Sequence, residues 1–297
     1  MTSYDIGISG FGAMGKWFAY LLTEDGNHVS VYDTDPERRR EAEALGYRIF
    51  RDNRKLAEEN DLTMISVLPI RNSLVVIEEI GPVLRPDQGV FDITSLKERQ
   101  LEAMQRYVRK GEYFGTHPVY AEGLFKDQVT AFVKGNGETW YERFKDFCRQ
   151  GGSIVHETTA ERHDDMMAII QGLLHCSEYT TAHAFRKSLG THERALEARG
   201  LASPVYRASL DFAFRILDRN PELYWDIAYE NRHRVIPYVR EFSHTVLEYL
   251  RQLEEGDEGA FLAEVRATRD VFQEIIREGS EESTLIIRSL PRRNSHS

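Results

Sequence analysis

Cysteine is scarce: 297 residues contain only Cys148 and Cys176. Neither belongs to a CxxC pair or a cluster. That excludes a disulfide framework and points to a reduced, cytoplasmic setting. No apolar run reaches about 18 residues, so no spanning helix and no membrane partner are expected. The first apolar segment follows no basic stretch and runs straight into a glycine-rich turn, unlike a secretory signal. Positive charge is also short, with 38 Lys and Arg against 48 Asp and Glu and a net charge of −10. This argues against a nucleic-acid partner, which needs a basic face, yet leaves room for local basic pockets around a small acidic molecule. Internal repeats and low-complexity segments are absent too. What remains is an ordinary globular mix, 41% hydrophobic and long enough for two domains.

Glycine is unevenly spread, with 15 of the 21 at or before residue 158. In that half, short β-rich runs alternate with amphipathic stretches. Tyr4–Ser9, His28–Tyr32, Leu62–Leu68 and Gly89–Ile93 read as buried strands. Met14–Thr23, Pro36–Leu45, Arg71–Ile80 and Lys97–Arg109 read as helices between them. Further strands are expected at Tyr113–Thr116, Val129–Val133 and Ser153–Val155. Such alternation predicts an α/β fold, a Rossmann-type doubly wound sheet over residues 1–158. Past Thr158 the strand signal stops. Helices are expected over 160–189, 204–219, 221–254 and 257–279, forming an all-helical domain over 159–297. Val239, Phe242, Val246, Leu250 and Leu253 recur at three- and four-residue steps. So wide an apolar face suggests packing against a second copy, hence a homodimer. The end of the chain, from Arg292 to Ser297, reads as a frayed polar tail.

Gly10-Phe11-Gly12-Ala13-Met14-Gly15 matches GxGxxG between a predicted strand and a predicted helix. The first glycine permits the tight turn, the second lets backbone approach a pyrophosphate, and the third lets helix and strand pack closely. The helix N-terminus then directs free N–H groups at the phosphates. A plain strand-to-helix turn is the structural alternative. Asp33 ends the second strand, 18 residues after Gly15, where an acid bonds the adenosine ribose of NAD and repels the 2′-phosphate of NADP. It also suits a cap for the helix at Pro36. Arg38, Arg39 and Arg40 keep NADP open, although they also read as a solvated helix face. The cofactor set is therefore Gly10, Gly12, Ala13, Met14, Gly15, Asp33 and, at the end of the third predicted strand, Leu68, with NAD as the expected cofactor.

Several further segments occur in an order that resembles the prephenate/arogenate dehydrogenase family of the tyrosine branch. They are Asp92-Ile93-Thr94-Ser95-Leu96-Lys97, then Gly115-Thr116-His117-Pro118, then His163-Asp164 with Gln171 and His175. Last come Ser203-Pro204-Val205-Tyr206-Arg207, Arg215 and Asn220-Pro221-Glu222-Leu223-Tyr224. The resemblance implies a Rossmann domain, a helical dimerisation domain, NAD or NADP, and oxidative decarboxylation of prephenate or arogenate. One departure stands out. The family usually follows its His-Pro with Met or Ile and a nearby glycine, whereas here Val119-Tyr120-Ala121-Glu122-Gly123 follows. That bears on the choice of substrate, not on the class of chemistry.

Such a reaction needs an acceptor for the ring hydroxyl proton as carbonyl character develops. A neutral imidazole suits that role. His117 follows a predicted strand, where open α/β sheets place their ligand loops, and the resemblance gives it the catalytic role. By sequence alone a structural histidine before proline fits equally well. Ser95 is implied to orient the substrate hydroxyl or the nicotinamide, and it also suits an N-cap for the Lys97 helix. Substrate carboxylates need cations. Arg215 is the choice by resemblance, with Arg207 eight residues earlier. A surface ladder through Asp211, four residues from each, is the reading the residues favour for Arg207, and the resemblance reverses it for Arg215. Met167, Gln171 and His175 are spaced by four on one helix face, so Gln171 and His175 are candidates to contact the substrate's side-chain end, while a satisfied interior histidine with Met167 in the core fits equally well. His163 and His175, 12 apart, lack a third ligand nearby, so no metal is expected. Two other readings remain. A β-hydroxyacid dehydrogenase shares the glycine loop but places a catalytic lysine in its interdomain helix, where this chain has only Lys187, near the end. A non-catalytic, NAD-sensing protein would need no proton acceptor.

Overall fold

The computed structural model describes residues 3–218 and 220–279, without the side chains of Arg215 and Asp218. The predicted tail at 292–297 lies outside the described residues. Runs of apolar residues bounded by glycine or polar turns form the strands. These are β1 (Asp5–Ser9), β2 (His28–Tyr32), β3 (Arg48–Ile49), β4 (Leu62–Ile65), β5 (Gly89–Asp92), β6 (Glu112–Pro118), β7 (Val129–Asn136) and β8 (Ile154–Thr158). Between them run α1 (Ala13–Glu24), α2 (Pro36–Ala44), α3 (Asn53–Glu59), α4 (Asn72–Ile80), α5 (Glu98–Tyr107) and α6 (Thr139–Gln150). The third predicted strand stops at Ile65, three residues short of Leu68. The elements β3, α3 and α6 were not expected from the sequence.

The strands hydrogen-bond in the order β3-β2-β1-β4-β5-β6-β7-β8. Neighbours are parallel except β6 and β7. Strand order reverses between β1 and β4, which opens a crevice beyond their carboxyl ends, the usual ligand position in such sheets. Helices cover both faces. On one, Phe18 and Leu22 of α1 join Trp140, Tyr141 and Phe144 of α6. On the other, Val76, Ile77 and Ile80 of α4 join Met104 of α5. Phe91 and Phe114 stack with ring centroids 4.9 Å apart, and Phe144 lies 4.3 Å from Phe91. Each such ring pair adds about 0.5–1.5 kcal/mol beyond area burial. This stack stiffens β5 and β6 below the loops they carry.

The helices beyond β8 are α7 (Ala160–Met167), α8 (Leu174–Leu189), α9 (His192–Leu201), α10 (Pro204–Arg215), α11 (Pro221–Glu230), α12 (Arg232–Glu255) and α13 (Glu258–Val271). Between α7 and α8, Ala168–Leu173 forms a π-helical turn. Uninterrupted α-helix over 160–189 was expected, so the even four-residue spacing of Met167, Gln171 and His175 does not translate into one regular face. The helix α9 was not expected from the sequence.

By its internal packing the chain divides into two units. One holds residues 1–172 with 222–232, and the other holds 173–221 with 233–297. In the first, Asp226 of α11 accepts from Ile70 N at 3.0 Å and Arg71 Nη1 at 3.2 Å, and Asn231 Nδ2 donates to Asp164 O at 2.7 Å. These bonds fasten 222–232 to the loop after β4 and to α7. In the second unit, Phe185 of α8 meets Phe214 of α10 at 6.0 Å. Along α12, Val246, Leu250 and Leu253 of the expected apolar stripe are exposed, as are Phe261, Leu262 and Val265 of α13.

Candidate active site

The glycine loop joins β1 to α1 and divides its labour among three glycines. Gly10 has φ +97°, and a Cβ there would lie 2.2 Å from Ser66 O. A Cβ on Gly15 would lie 2.0 Å from Gly10 O. Both positions are closed by the fold itself. At Gly12, by contrast, the nearest atom to a Cβ is Arg38 Nη1 at 3.7 Å, and the backbone is ordinary, with φ −73°. Gly12 is also the N-cap of α1 and offers no side chain to the helix's first N–H groups. An open backbone beside uncapped amides is the cradle a pyrophosphate requires. Phe11, 1% exposed, anchors the loop in the core.

Asp33 is buried at the end of β2. Its Oδ2 accepts from Phe11 N at 2.6 Å and its Oδ1 from Asp35 N at 2.8 Å. It does not cap α2, because Asp35 fills that position and accepts from Glu37 N. Asp33 therefore fixes the glycine loop. Arg38 Nη1 stands 3.6 Å from Asp33 Oδ2, over the open side of Gly12. Arg39 instead turns to the Asp33 carbonyl and Arg40 to Glu37. Across the crevice Leu68 follows β4 and is 51% exposed.

Beyond β5 the chain turns through an Asx loop, with Asp92 Oδ2 accepting from Thr94 N at 2.9 Å. Ser95 lies in this loop, half-buried. It is not the cap residue of α5, which is Lys97, and Lys97 makes no side-chain cap bond. That work falls to Asp164 of α7, whose Oδ1 accepts from Lys97 N at 2.9 Å and whose Oδ2 accepts from Glu98 N at 3.0 Å. A carboxylate at a helix N-terminus satisfies orphan amides and opposes the dipole. Ser95 is left free of the capping role the sequence allowed it.

Lys97 itself is fully buried, its ammonium paired with Asp92 and donating to Thr116 O at 2.7 Å. Burial lowers its pKa, against the pull of Asp92. The pair bridges β5 to the residue preceding His117. Losing one partner of a buried pair costs about 3–5 kcal/mol, so Lys97 holds this end of β6 in place. His117, 3% exposed, sits near the end of β6. Its Nδ1 lies 3.1 Å from Nε2 of His163, and His163 Nδ1 lies 2.8 Å from Asp164 Oδ1. Burial, then the neighbouring His163 and Lys97, hold the His117 pKa well below the usual 6.5. His117 is therefore neutral at neutral pH.

The departing loop after Pro118 belongs to the same unit. Tyr120 OH lies 3.2 Å from Thr130 Oγ1 and its ring meets Phe125 edge-on at 6.2 Å, so Tyr120 is spent on packing. Glu122 is exposed. Gln171 lies in the π turn, half-buried, with Oε1 lacking a hydrogen-bond partner among the described residues. His175, Arg207 and Arg215 fall in the second unit, on α8 and α10. The ladder through Asp211 makes no hydrogen bond at Arg207: Arg199 takes both Asp211 oxygens at 2.9 Å, and Arg207 acts on Asp211 through charge alone. Arg207 Nε has no hydrogen-bond partner among the described residues. The Arg215 side chain lies outside the described part. Among the described residues, no three His, Cys, Asp or Glu side chains group to hold a metal.

Comparison with known proteins decides the family. Residues 18–133 match the model for the prephenate dehydrogenase nucleotide-binding domain, beginning just past the glycine loop. Residues 159–267 match that for the prephenate dehydrogenase dimerization domain. The chain belongs to the prephenate/arogenate dehydrogenase family. A probable arogenate/prephenate dehydrogenase of Methanocaldococcus jannaschii is 31% identical over 255 residues, 84% of this chain. This chain spans 55% of that relative's length. Among solved structures, prephenate dehydrogenase from Aquifex aeolicus, in complex with hydroxyphenyl propionate and NAD+, superposes with a TM-score of 0.74 at 21% identity. That match covers 92% of this chain and 99% of the other. Synechocystis arogenate dehydrogenase gives 0.67 at 18%, covering 90% and 99%. The family assignment sets aside the β-hydroxyacid dehydrogenase reading. The sequence left unseen how Asp164, His163 and Lys97 converge on His117. The adjacent pair His163-Asp164, part of the family resemblance, is the one pointer in the sequence.

Proposed function

We propose that this family member uses NAD+ to oxidise and decarboxylate prephenate to 4-hydroxyphenylpyruvate, with His117 as proton acceptor. The observation that carries the reading is the buried imidazole of His117, in contact with His163 at the carboxyl end of β6, which neighbours β5 and its Ser95 loop in the same sheet that presents the glycine cradle. NAD+, when bound, supplies the hydride acceptor. Gly10, Gly12, Ala13, Met14 and Gly15 hold its pyrophosphate, Asp33 its ribose, and Leu68 walls the opposite side. His117 accepts the ring hydroxyl proton while carbonyl character develops and returns it to the phenolate once carbon dioxide has left. Ser95 orients that hydroxyl. Arg215 and Arg207 take substrate carboxylates, and Gln171 and His175 the side-chain end. The chain works as a homodimer in the cytoplasm: the exposed apolar residues of α12 and α13 fit a second copy, and both cysteines are free. Among the described residues no helix is long and apolar enough to cross a membrane.

Prephenate carries a keto acid where arogenate carries an amino acid. The arginines and neutral polar groups assigned to the site suit the keto acid, whereas an ammonium favours a carboxylate, the part Glu122 would play were arogenate preferred. Prephenate is accordingly the better substrate. Steady-state kinetics with both compounds tests this, and a higher kcat/KM for arogenate would contradict it. The cofactor preference follows from Asp33. Asp33→Ala raises the KM for NAD+ more than that for NADP+, because the 2′-phosphate loses its repulsion while the ribose loses its acceptor. A wild-type enzyme that prefers NADP+ would hand the adenosine end to Arg38. Arg215→Gln raises the prephenate KM strongly and lowers kcat less, as expected for lost ground-state binding. An unchanged KM in the folded variant would remove Arg215 from the site.

A further inference from the structure

We propose that Asp164 and His163 are positioning residues that fix the ring tautomer of His117, leaving its Nε2 bare to accept the substrate proton. The inference rests on the reading of His117 as proton acceptor, and the polarity follows from donors and acceptors one bond at a time. Asp164 receives two backbone N–H groups from the start of α5, so its carboxylate is committed as an acceptor. An ionised carboxylate only accepts. The His163 Nδ1 at 2.8 Å from Oδ1 must therefore carry hydrogen. A neutral imidazole protonated at Nδ1 has a lone pair at Nε2. His163, 2% exposed, is held neutral by that burial, so its Nε2 accepts across the 3.1 Å contact. His117 Nδ1 is then the donor, and its other ring nitrogen is left without hydrogen. The chain thus runs from the α5 N-terminus through Asp164 and His163 to His117.

Two further contacts fix its ends. Asn231 Nδ2 donates to the Asp164 carbonyl at 2.7 Å, and Lys97 Nζ donates to Thr116 O next to His117. When His117 takes the hydroxyl proton, its Nδ1–H still points at the His163 lone pair, which stabilises the imidazolium as it forms. No proton travels down the chain, and the one gained returns to the phenolic oxygen. With the opposite tautomer Nε2 would already bear hydrogen and could accept nothing. In a serine-histidine-aspartate triad, a substitution that leaves the wrong tautomer costs about 10⁴-fold in kcat.

The test is long-range ¹H–¹⁵N NMR of the full chain with ¹⁵N-labelled histidine, the rings assigned by the signals missing from His117→Asn and His163→Gln. His117 and His163 should both appear as Nδ1–H tautomers at neutral pH. A His117 protonated at Nε2 overturns the proposal, whatever the enzyme's substrate. Kinetics give the second readout. His163→Leu removes the acceptor and is expected to lower kcat at least about 100-fold while the prephenate KM stays within a few-fold. In His163→Gln, Oε1 takes the place of Nε2 as acceptor, so kcat recovers to within about tenfold of wild type, an effect judged against the same rate scale. Equal losses in both variants, or no loss in His163→Leu, contradict the relay. If His163→Leu fails to fold, the wild-type tautomer decides. Wild-type protein with the expected tautomers but no turnover of prephenate would spare the relay and remove the proposed reaction instead.

Discussion

His117→Asn lowers kcat with prephenate by about 10²–10⁴-fold, the usual contribution of a positioned general base. That span corresponds to about 3–5 kcal/mol of transition-state stabilisation. The prephenate KM changes little, because the bond to the developing carbonyl strengthens only as hydride departs. The wild-type pH profile carries the same signature. Protonated imidazole cannot accept, so kcat/KM falls on the acid side. Burial, His163 and Lys97 depress the His117 pKa, and this displaces the acid limb below pH 6.5. Asp92 and Asp164, which face the same cluster, are already committed to Lys97 and to the α5 amides. Activity should therefore hold steady from neutral pH down past 6.5 before it drops. A limb centred above 6.5, absent in no variant, would show that another group governs the profile.

Gly12→Val abolishes dinucleotide binding and leaves the fold intact, whereas Gly15→Ala loses the fold. The two differ by what a Cβ meets. At Gly12 the space is open and φ is −73°, so valine is tolerated by the chain but occupies the approach of the pyrophosphate. At Gly15 a methyl group would sit 2.0 Å from the Gly10 carbonyl, a backbone atom that cannot move aside without displacing α1 from β1. Thermal melts with and without NAD+ separate the two outcomes. Gly12→Val should melt near the wild-type temperature and gain no stabilisation from NAD+, while a ligand that binds only the native state raises the wild-type Tm. A Gly12→Val protein still shifted by NAD+ would place the pyrophosphate elsewhere.

Much of the first unit was legible because its signals are local. The GxGxxG turn, the run His28–Tyr32 and the alternation around it need only a window of a dozen residues, and β2 begins and ends where expected. The helix α6 is equally local, with Trp140, Tyr141, Phe144 and Cys148 buried along one stripe, although the sequence reading places no helix there. The strand β3 has two residues, too few for a period to register. The π turn leaves no mark in hydrophobic spacing. The site was legible only in part, for a different reason. His117 and Ser95 are candidates that the family resemblance singles out, and the groups around them are distant in sequence: His163 is 46 residues from His117, and Asp164 is 67 from Lys97. A lysine five residues past a strand reads as a solvated charge. Only the fold reveals that Lys97 is buried and spent on Asp92 and Thr116.

In the proposed reaction this chain couples hydride removal from prephenate to loss of its ring carboxylate. The most direct measurement follows NADH and carbon dioxide together in one reaction of purified protein, NAD+ and prephenate. Both should appear, one for one, with 4-hydroxyphenylpyruvate as the product, and His117→Asn should slow both alike. Folded, NAD+-binding protein that forms neither NADH nor carbon dioxide from prephenate would contradict it.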